Sequence, residues 1–416
     1  MKVLITSGVC SANTFNRIFE SCTKKRIIGS SQNYYSLLIK GLQYNNVDQI
    51  QIISELPVSH NTHRKMIWRR NNIVDANLSF IELSFINLPI LKNIMIFLGC
   101  LIQTRRWAIS HKNDSIVISD CLSFSSAFAA RIIARLYRIK TIGVITDLPE
   151  SFANINREVR TPIKKVAQRI YDMFSIRNYQ SYDGYILISE NMKHILTRRE
   201  NLKVDYLIID CIVDYRETPS SQGPLYILDQ EEIEHSIKRI VYAGSLNKKY
   251  GLDVLLDSID FIPRRDVEFQ FYGDGDYVSN IIKKSLLDDR IKYFGVVPNG
   301  EVLAAEEQAS ILINPRRNCE LFSKYCFPSK IAEYMCSNVP VLCYKLEGVG
   351  DEYDKYLNYI IGNSSRQLAG SILKMLDDLE EAKIKASLAK KFIIEKRNYK
   401  VQGRKLCEYM EKLLHE

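Results

Sequence analysis

The sequence predicts an α/β protein built from two doubly wound domains. Three observations carry that expectation. Short apolar runs alternate with helical patterns in two separate series, the signal for βαβ units and parallel sheets. A polar stretch divides the series: Thr218-Pro219-Ser220-Ser221-Gln222-Gly223-Pro224, followed by acidic Glu231-Glu232-Ile233-Glu234. The length of 416 residues suits two or three domains of roughly 100–200 residues each.

The first series opens with a short strand at Met1 to Thr6. Ser115 to Ile118 reads as a strand, Ser125 to Tyr137 as a helix and Thr141 to Ile145 as the next strand. Tyr185 to Ile188 and Asp205 to Ile209 extend the sheet. The polar stretch marks an interdomain connection, drawn at residues 211–238. The second series starts at Arg239 to Gly244. Its later strands fall at Glu268 to Tyr272, Ile291 to Phe294, Ser310 to Asn314 and Pro340 to Cys343, with helices between them. A helical tail runs from about Ser364 to His415. The expected organisation is a first domain at 1–210, a second at 239–395, and a terminal helix at 396–416 packing back on the first domain. Residues 1–110 carry no assignable motif.

Composition narrows the class. With 46% hydrophobic and 25% charged residues, the chain is neither disordered nor collagen-like. Ten cysteines are scattered without a CxxC pair. That argues against a zinc ribbon and for buried thiols in a reducing cytosol. His60-Asn61-Thr62-His63 lacks the glutamate of a zincin motif, so both histidines are expected on the surface. The N-terminus has no signal-peptide pattern. The most apolar window, Ile94 to Ile102, falls short of the ~20 residues a spanning helix needs.

The net charge of +9 is uneven. Residues 1–200 hold 27 Lys+Arg against 14 Asp+Glu, and residues 201–416 hold 30 against 34. A basic first half suits an anionic membrane or a nucleic acid. No aromatic-and-basic RNP run or Cys/His finger supports the nucleic acid. Two amphipathic segments suit a membrane surface. One is Thr161 to Tyr179, whose stripe of Ile163, Val166, Ile170 and Phe174 is flanked by Arg160, Lys164, Lys165 and Arg169. The other is Ile94 to Trp107, closing with Arg105, Arg106 and Trp107.

The densest chemistry lies in the second series. Asn314-Pro315-Arg316 ends a strand, and Ser329 to Ser337 reads as a helix. Ser329 is the expected N-cap, with Pro328 fixing the entry. Asn338 is expected in the left-handed C′ position before Pro340. The helix N-terminus then opens near the carboxyl edge of the sheet, where ligands of open α/β sheets bind. Free N–H groups there suit a phosphate, and Lys330 adds a full charge. Glu333 lies one turn on, placed to accept hydrogen bonds from ribose hydroxyls. An ordinary capping acid fits the same spacing.

These residues, taken with five ordered segments, resemble the retaining glycosyltransferases of the GT-B fold, family GT4. The nearest branch is that of bacterial surface polysaccharides, with the run NPR…KYSFPSK…EYMASGxPV. Here it stands as Asn314-Pro315-Arg316, Lys324 to Lys330, Glu333-Tyr334-Met335 and Pro340-Val341. Tyr242 to Leu246 with Tyr250 to Asp253, Tyr272 to Asp276, and Tyr293-Phe294-Gly295 are similar to the donor-domain strands and glycine turns. Val144 to Pro149 and Leu187 to Met192 are similar to first-domain segments. The resemblance covers about residues 115–355.

The resemblance implies two Rossmann-like domains facing each other across a cleft, the second binding a nucleotide sugar. It implies that Glu333 holds the donor ribose, that Pro328, Ser329 and Lys330 lie beside the diphosphate, and that Gly244, Ser245 and Gly273 form turns facing it. Asp147 falls near the family's first-domain position close to the transferred sugar. The chain departs from the pattern at Tyr325, which stands where the family's first glutamate of E-x7-E lies; Glu320 is the candidate substitute. Ser245 and Tyr250 stand where Arg and Lys are usual, leaving Lys248, Lys249 and Arg316 to supply charge.

Transfer from a nucleotide sugar leaves negative charge on the departing diphosphate, which a helix N-terminus with Lys and Arg can stabilise without a metal. Asp274-Gly275-Asp276 spells DxD, yet it resembles the glycine turn, so no metal and no other cofactor is expected. The expected function is retaining, metal-independent transfer to a lipid-linked saccharide in capsule, exopolysaccharide or O-antigen assembly, on the cytoplasmic face of a membrane. Lys330 would stabilise the leaving group. A sugar-nucleotide epimerase on the same fold and a non-catalytic GT-B binding protein are the alternatives.

Overall fold

The computed structural model describes residues 1–22, 29–75, 78–111, 113–147, 176–196, 204–214, 237–318 and 321–416. The chain divides into two compact units: Met1–Ile212 with Tyr399–Glu416, and Val213–Asn398. Residues 215–236 of the expected connection, and residues 161–175 of the expected basic helix, lie outside the described residues.

The N-terminal unit contains β1 (Lys2–Ser7), α1 (Ala12–Glu20), α2 (Gly29–Tyr44), β2 (Gln49–Ser54), β3 (Ile67–Trp68), β4 (Asn71–Asp75), β5 (Leu78–Glu82) and β6 (Phe85–Ile86). Then come α3 (Pro89–Ser110), β7 (Ser115–Asp120), α4 (Phe124–Leu136), β8 (Lys140–Ile145), β9 (Gly184–Leu187), α5 (Lys193–Leu196) and β10 (Tyr206–Ile208). Its sheet runs β10-β9-β8-β7-β1-β2-β5-β4, parallel except for the antiparallel edge strand β4. Strand alternation sends side chains to both faces. Val3 and Ile5 join α2 residues Leu38 and Leu42 in one core cluster, while Leu4 joins Ile96, Trp107 and Ile133 of α3 and α4 in another. Burial on both faces is what a parallel sheet requires.

The C-terminal unit contains β11 (Lys238–Ala243), α6 (Leu252–Ser258), β12 (Val267–Tyr272), α7 (Val278–Ser285), β13 (Ile291–Gly295), α8 (Asn299–Glu307) and β14 (Ile311–Asn314). These are followed by α9 (Ser329–Cys336), β15 (Val341–Cys343), β16 (Asn358–Tyr359), α10 (Ser365–Asp377) and α11 (Leu379–Lys396). All six strands are parallel, in the order β13-β12-β11-β14-β15-β16. The order reverses at β11, between its neighbours β12 and β14. In such sheets the switch point opens a crevice at the carboxyl edge.

The expected helical tail is three helices, broken at Asp378 and again at Arg397-Asn398. The last, α12 (Tyr399–His415), belongs to the N-terminal unit and packs on α2. Glycines permit the close approach. A Cβ on Gly403 would sit 2.4 Å from the Gly41 carbonyl carbon.

Two surface expectations are corrected. His63 is buried, with Nδ1 2.9 Å from the Thr62 hydroxyl and Nε2 3.0 Å from the Ile18 carbonyl, so it ties its loop to α1. Trp107 is also buried and stacks on His111, because α3 turns that face to the core. Nine cysteines fall among the described residues and all are free thiols, seven of them buried.

Candidate functional site

Two turns at the carboxyl edge of the second sheet lock together. Gly244 follows β11 with φ of +150°, and Gly273 follows β12 with φ of +126°. A Cβ on Gly273 would meet the Gly244 carbonyl oxygen at 1.8 Å, so only glycine fits. The Gly244 amide donates to the Tyr272 carbonyl and the Leu246 amide to the Asp274 carbonyl, both at 2.9 Å. Asp276 accepts the Lys248 amide at 2.8 Å, and Asn247 accepts the Asp276 amide at 2.9 Å. The Asp-Gly-Asp carboxylates thus serve the turns. Among the described residues, no group of three His, Cys, Asp or Glu is arranged to hold a metal.

Helix α9 supplies the next part. Ser329 is not its N-cap: Pro328 takes that position with no side-chain hydrogen bond, and exposed Ser329 is the first helical residue. Pro328 has extended backbone angles, so the chain enters the helix one residue earlier than the serine pattern suggests. No side chain caps this end; the Ile331 amide donates to the Pro328 carbonyl at 2.9 Å, and an anion can meet the end of the helix without displacing a side chain. At the other end Asn338 has φ of +67°, the expected left-handed stop. Tyr334 fastens the helix to β11. Its buried hydroxyl accepts the Ala243 amide at 2.9 Å and lies 3.2 Å from the Ala243 carbonyl.

Lys330 meets the glycine turn directly. A Cβ on Gly244 would lie 3.8 Å from Lys330 Cγ and 3.9 Å from its Cε. Its ammonium donates to Glu333 Oε1 at 2.6 Å and to Glu306 Oε1 at 3.3 Å. Glu306, on α8, was not anticipated from the sequence. It is only 1% exposed, and its Oε2 has no hydrogen-bond partner. Burial pushes its carboxyl up to about 7, opposed by Lys330 and reinforced by Glu333. Lys330 is also raised: burial works against its charge, but the two acids outweigh burial. The shifts have different origins. Glu306 is dominated by desolvation, whereas Lys330 is held charged by two partners, the nearer being Glu333.

A second group gathers around Tyr250. The Arg316 guanidinium lies over its ring at 5.3 Å and the Lys249 ammonium at 5.2 Å. Arg316 also donates from its backbone to Asn314 Oδ1 and from Nε to the Ser323 hydroxyl, which fixes it after β14. Exposed Ser245 accepts from Asn247 at 2.7 Å, and Tyr242 donates to the Ser245 carbonyl at 2.9 Å. Tyr325 is half-buried in the turn after residues 321–324. Glu320 lies outside the described residues.

The sequence-predicted residues of this unit therefore fall into two local groups. Gly244, Gly273, Lys330 and Glu333 form one, and Lys249 and Arg316 meet at Tyr250. Asp147 is exposed, two residues beyond β8 in the N-terminal unit. That unit also has acids at its carboxyl edge that the sequence did not single out. Asp120 accepts from the Leu122 amide and the Ser123 hydroxyl, and burial raises it to about 6. Glu55 accepts from the Ser126 hydroxyl at 2.8 Å and is raised by burial.

Residues 237–378 match the family described as glycosyl transferases group 1, so the chain carries a glycosyltransferase domain of that group. A probable glycosyltransferase of Pseudomonas aeruginosa, WbjE, is 25% identical over 179 residues. That match covers 41% of this chain and 42% of WbjE, less than half of the relative's length. Among solved structures, Anabaena HepE in complex with UDP aligns over 99% of this chain and 100% of its own, with a TM-score of 0.63 at 15% identity. Sucrose-phosphate synthase from Thermosynechococcus elongatus aligns over 100% and 99%, with a TM-score of 0.65 at 12% identity. HepE is also known in complex with UDP-glucose. These likenesses show the fold: it is GT-B, with two Rossmann-like α/β domains.

Proposed function

We propose that the chain transfers a sugar from a nucleotide sugar to a lipid-linked saccharide in the assembly of a surface polysaccharide such as capsule, exopolysaccharide or O-antigen. The observation that carries the proposal is Lys330. It lies against the Gly244 turn, one residue into a helix with an uncapped N-terminus, with Glu333 on the same helix. Backbone amides and a cation suit a diphosphate, and a carboxylate one turn away suits ribose hydroxyls. That HepE binds UDP and UDP-glucose supports a nucleotide-sugar donor here as well.

In the proposed reaction the bond from the anomeric carbon to the diphosphate oxygen breaks, and negative charge collects on the leaving group. Lys330, Arg316, Lys249 and the α9 amides stabilise that charge. The acceptor hydroxyl bonds to the anomeric carbon on the same face, with retention, and its proton passes to the departing phosphate oxygen. No step needs a metal. Asp147 is assigned to the sugar-facing side of the first domain, and Glu320 and Tyr325 to the position of the family's first glutamate.

The test incubates protein and membranes with a panel of radiolabelled nucleotide sugars and follows label into the lipid extract. Label should enter the lipid from one donor, and Glu333→Ala should abolish it. Undiminished transfer by that variant removes Glu333 from the site.

A further inference from the structure

Helix α3 is apolar on both sides. Its inner side buries Ile96, Cys100, Thr104 and Trp107 against the N-terminal core. Its outer side carries Ile90, Ile94, Leu98, Ile102 and Ile109, each between 49% and 78% exposed. At about 100° per residue these five fall within an arc of roughly 120°. Arg105 lies in the same arc and Arg106 beside it, both exposed. An ordinary surface helix would place polar residues there.

The neighbouring two-stranded β3–β6 sheet continues the pattern. Ile67 of β3 pairs with Ile86 of β6, and the Ile86 amide donates to Met95 Sδ of α3 at 3.3 Å. Met66 and Ile67 are exposed, as are Arg64, Lys65, Arg69 and Arg70 around them. No Asp or Glu occurs between Glu55 and Asp75, and none between Glu82 and Asp114. An exposed apolar row of this kind marks an interaction site.

We propose that the outer face of α3, with the two-stranded β3–β6 sheet, docks on an anionic phospholipid surface. The aliphatic row would enter the headgroup–acyl boundary while the arginines and lysine meet lipid phosphates. Charge complementarity selects this occupant. A second copy of the chain, packed about a two-fold axis, would set this basic face against itself with no acid in either segment to offset it. Among the described residues, no helix is long and apolar enough to cross a membrane. The inference rests on the lipid-linked acceptor of the function proposed above and not on its transfer chemistry.

The test sediments the full chain with vesicles of phosphatidylcholine alone or mixed with phosphatidylglycerol, with no donor or acceptor present. Binding should require phosphatidylglycerol and weaken as salt screens the charges. Ile94→Gln with Leu98→Gln should lower vesicle affinity about tenfold or more. Arg105→Glu with Arg106→Glu should do the same, while Ile384→Gln with Leu388→Gln, exposed on α11, should not. Unchanged thermal unfolding confirms that each variant folds. Equal binding by the α3 variants and the native chain overturns the proposal. So does a dimer, seen by light scattering, that the Ile94/Leu98 variant dissolves while vesicles bind nothing. Transfer to a detergent-solubilised acceptor is read separately. Its failure in the native chain would sink the transfer reading and leave this surface standing.

Discussion

Replacing Glu306 by Gln isolates one buried charge with little change in shape. Glu306 is almost fully enclosed, faces Lys330 at 3.3 Å, and keeps Oε2 unpaired. Its carboxyl is raised from 4.5 to about 7, chiefly by burial. Between those values the folded chain holds a proton that the unfolded chain has released. Stability contributed by the group is therefore present below its unfolded value and lost as pH rises through about 7. A shift of that size corresponds to about 3 kcal/mol. Gln does not titrate, so the variant's stability relative to the native chain should improve by most of that amount between about pH 5 and about pH 8. Glu333 and Glu307 also face the group, but they are present in both proteins and largely cancel in the difference. Tyr334, Cys336 and Lys330 face it too, and all three are raised away from this window. Urea unfolding at both pH values, following the transition of the C-terminal unit, measures the swing. A difference in stability that stays constant with pH would refute the burial argument.

Three further substitutions test the supports of the site. Gly273→Ala forces a Cβ into the Gly244 carbonyl at a positive φ. It should cost on the order of 3 kcal/mol, as read by urea unfolding, and abolish the nucleotide-sugar binding proposed above, as read by titration calorimetry. Tyr334→Phe strips the Ala243 amide of its buried partner and should cost about 1–3 kcal/mol in the same unfolding assay. Gly370→Ala, exposed in α10 with nothing within 4 Å of the new Cβ, should instead stabilise by about 0.5–1 kcal/mol, seen as a higher unfolding midpoint.

How much was legible depended on how local the signal was. Strands β11 to β15 of the second series lie within a residue or two of their expected bounds, because each is an apolar run bounded on one side by Gly, Asn or Pro, whereas the two-residue β16 was missed. The Asn338 stop was legible for the same reason, since few residues tolerate a left-handed position. The antiparallel β4–β5 edge and the two-stranded β3–β6 sheet were missed, because two- to five-residue strands are too short to establish a period. His63 was misplaced because its partner Ile18 is 45 residues away. The break at Asp378 was not read, because helical periodicity continues across it; the terminal helix at 396–416 was set apart and expected on the first domain, but its partner helix α2 was not legible. Gly41 and Gly403 were the available clue, since two glycines on facing helices allow a crossing closer than any side chain does.

Glu306 shows how a site can hide inside an ordinary pattern. Glu306 stands beside exposed Glu307 on a short helix with no motif around it, and only the fold turns it inward onto Lys330. That turn changes the electrostatics of the site. From the sequence, Lys330 counts as positive charge waiting for a phosphate. In the structure two carboxylates already face it, and one of them changes charge near neutral pH. With Glu306 ionised the triad sums to one negative charge, and with Glu306 protonated it sums to zero. Under the proposed function, attraction for an incoming diphosphate would then come largely from the α9 amides and the Arg316–Lys249 pair around Tyr250. Nucleotide affinity should accordingly fall as pH rises through about 7 in the native chain and stay flat in Glu306→Gln. A native profile as flat as the variant's would mean that Glu306 does not sense the ligand.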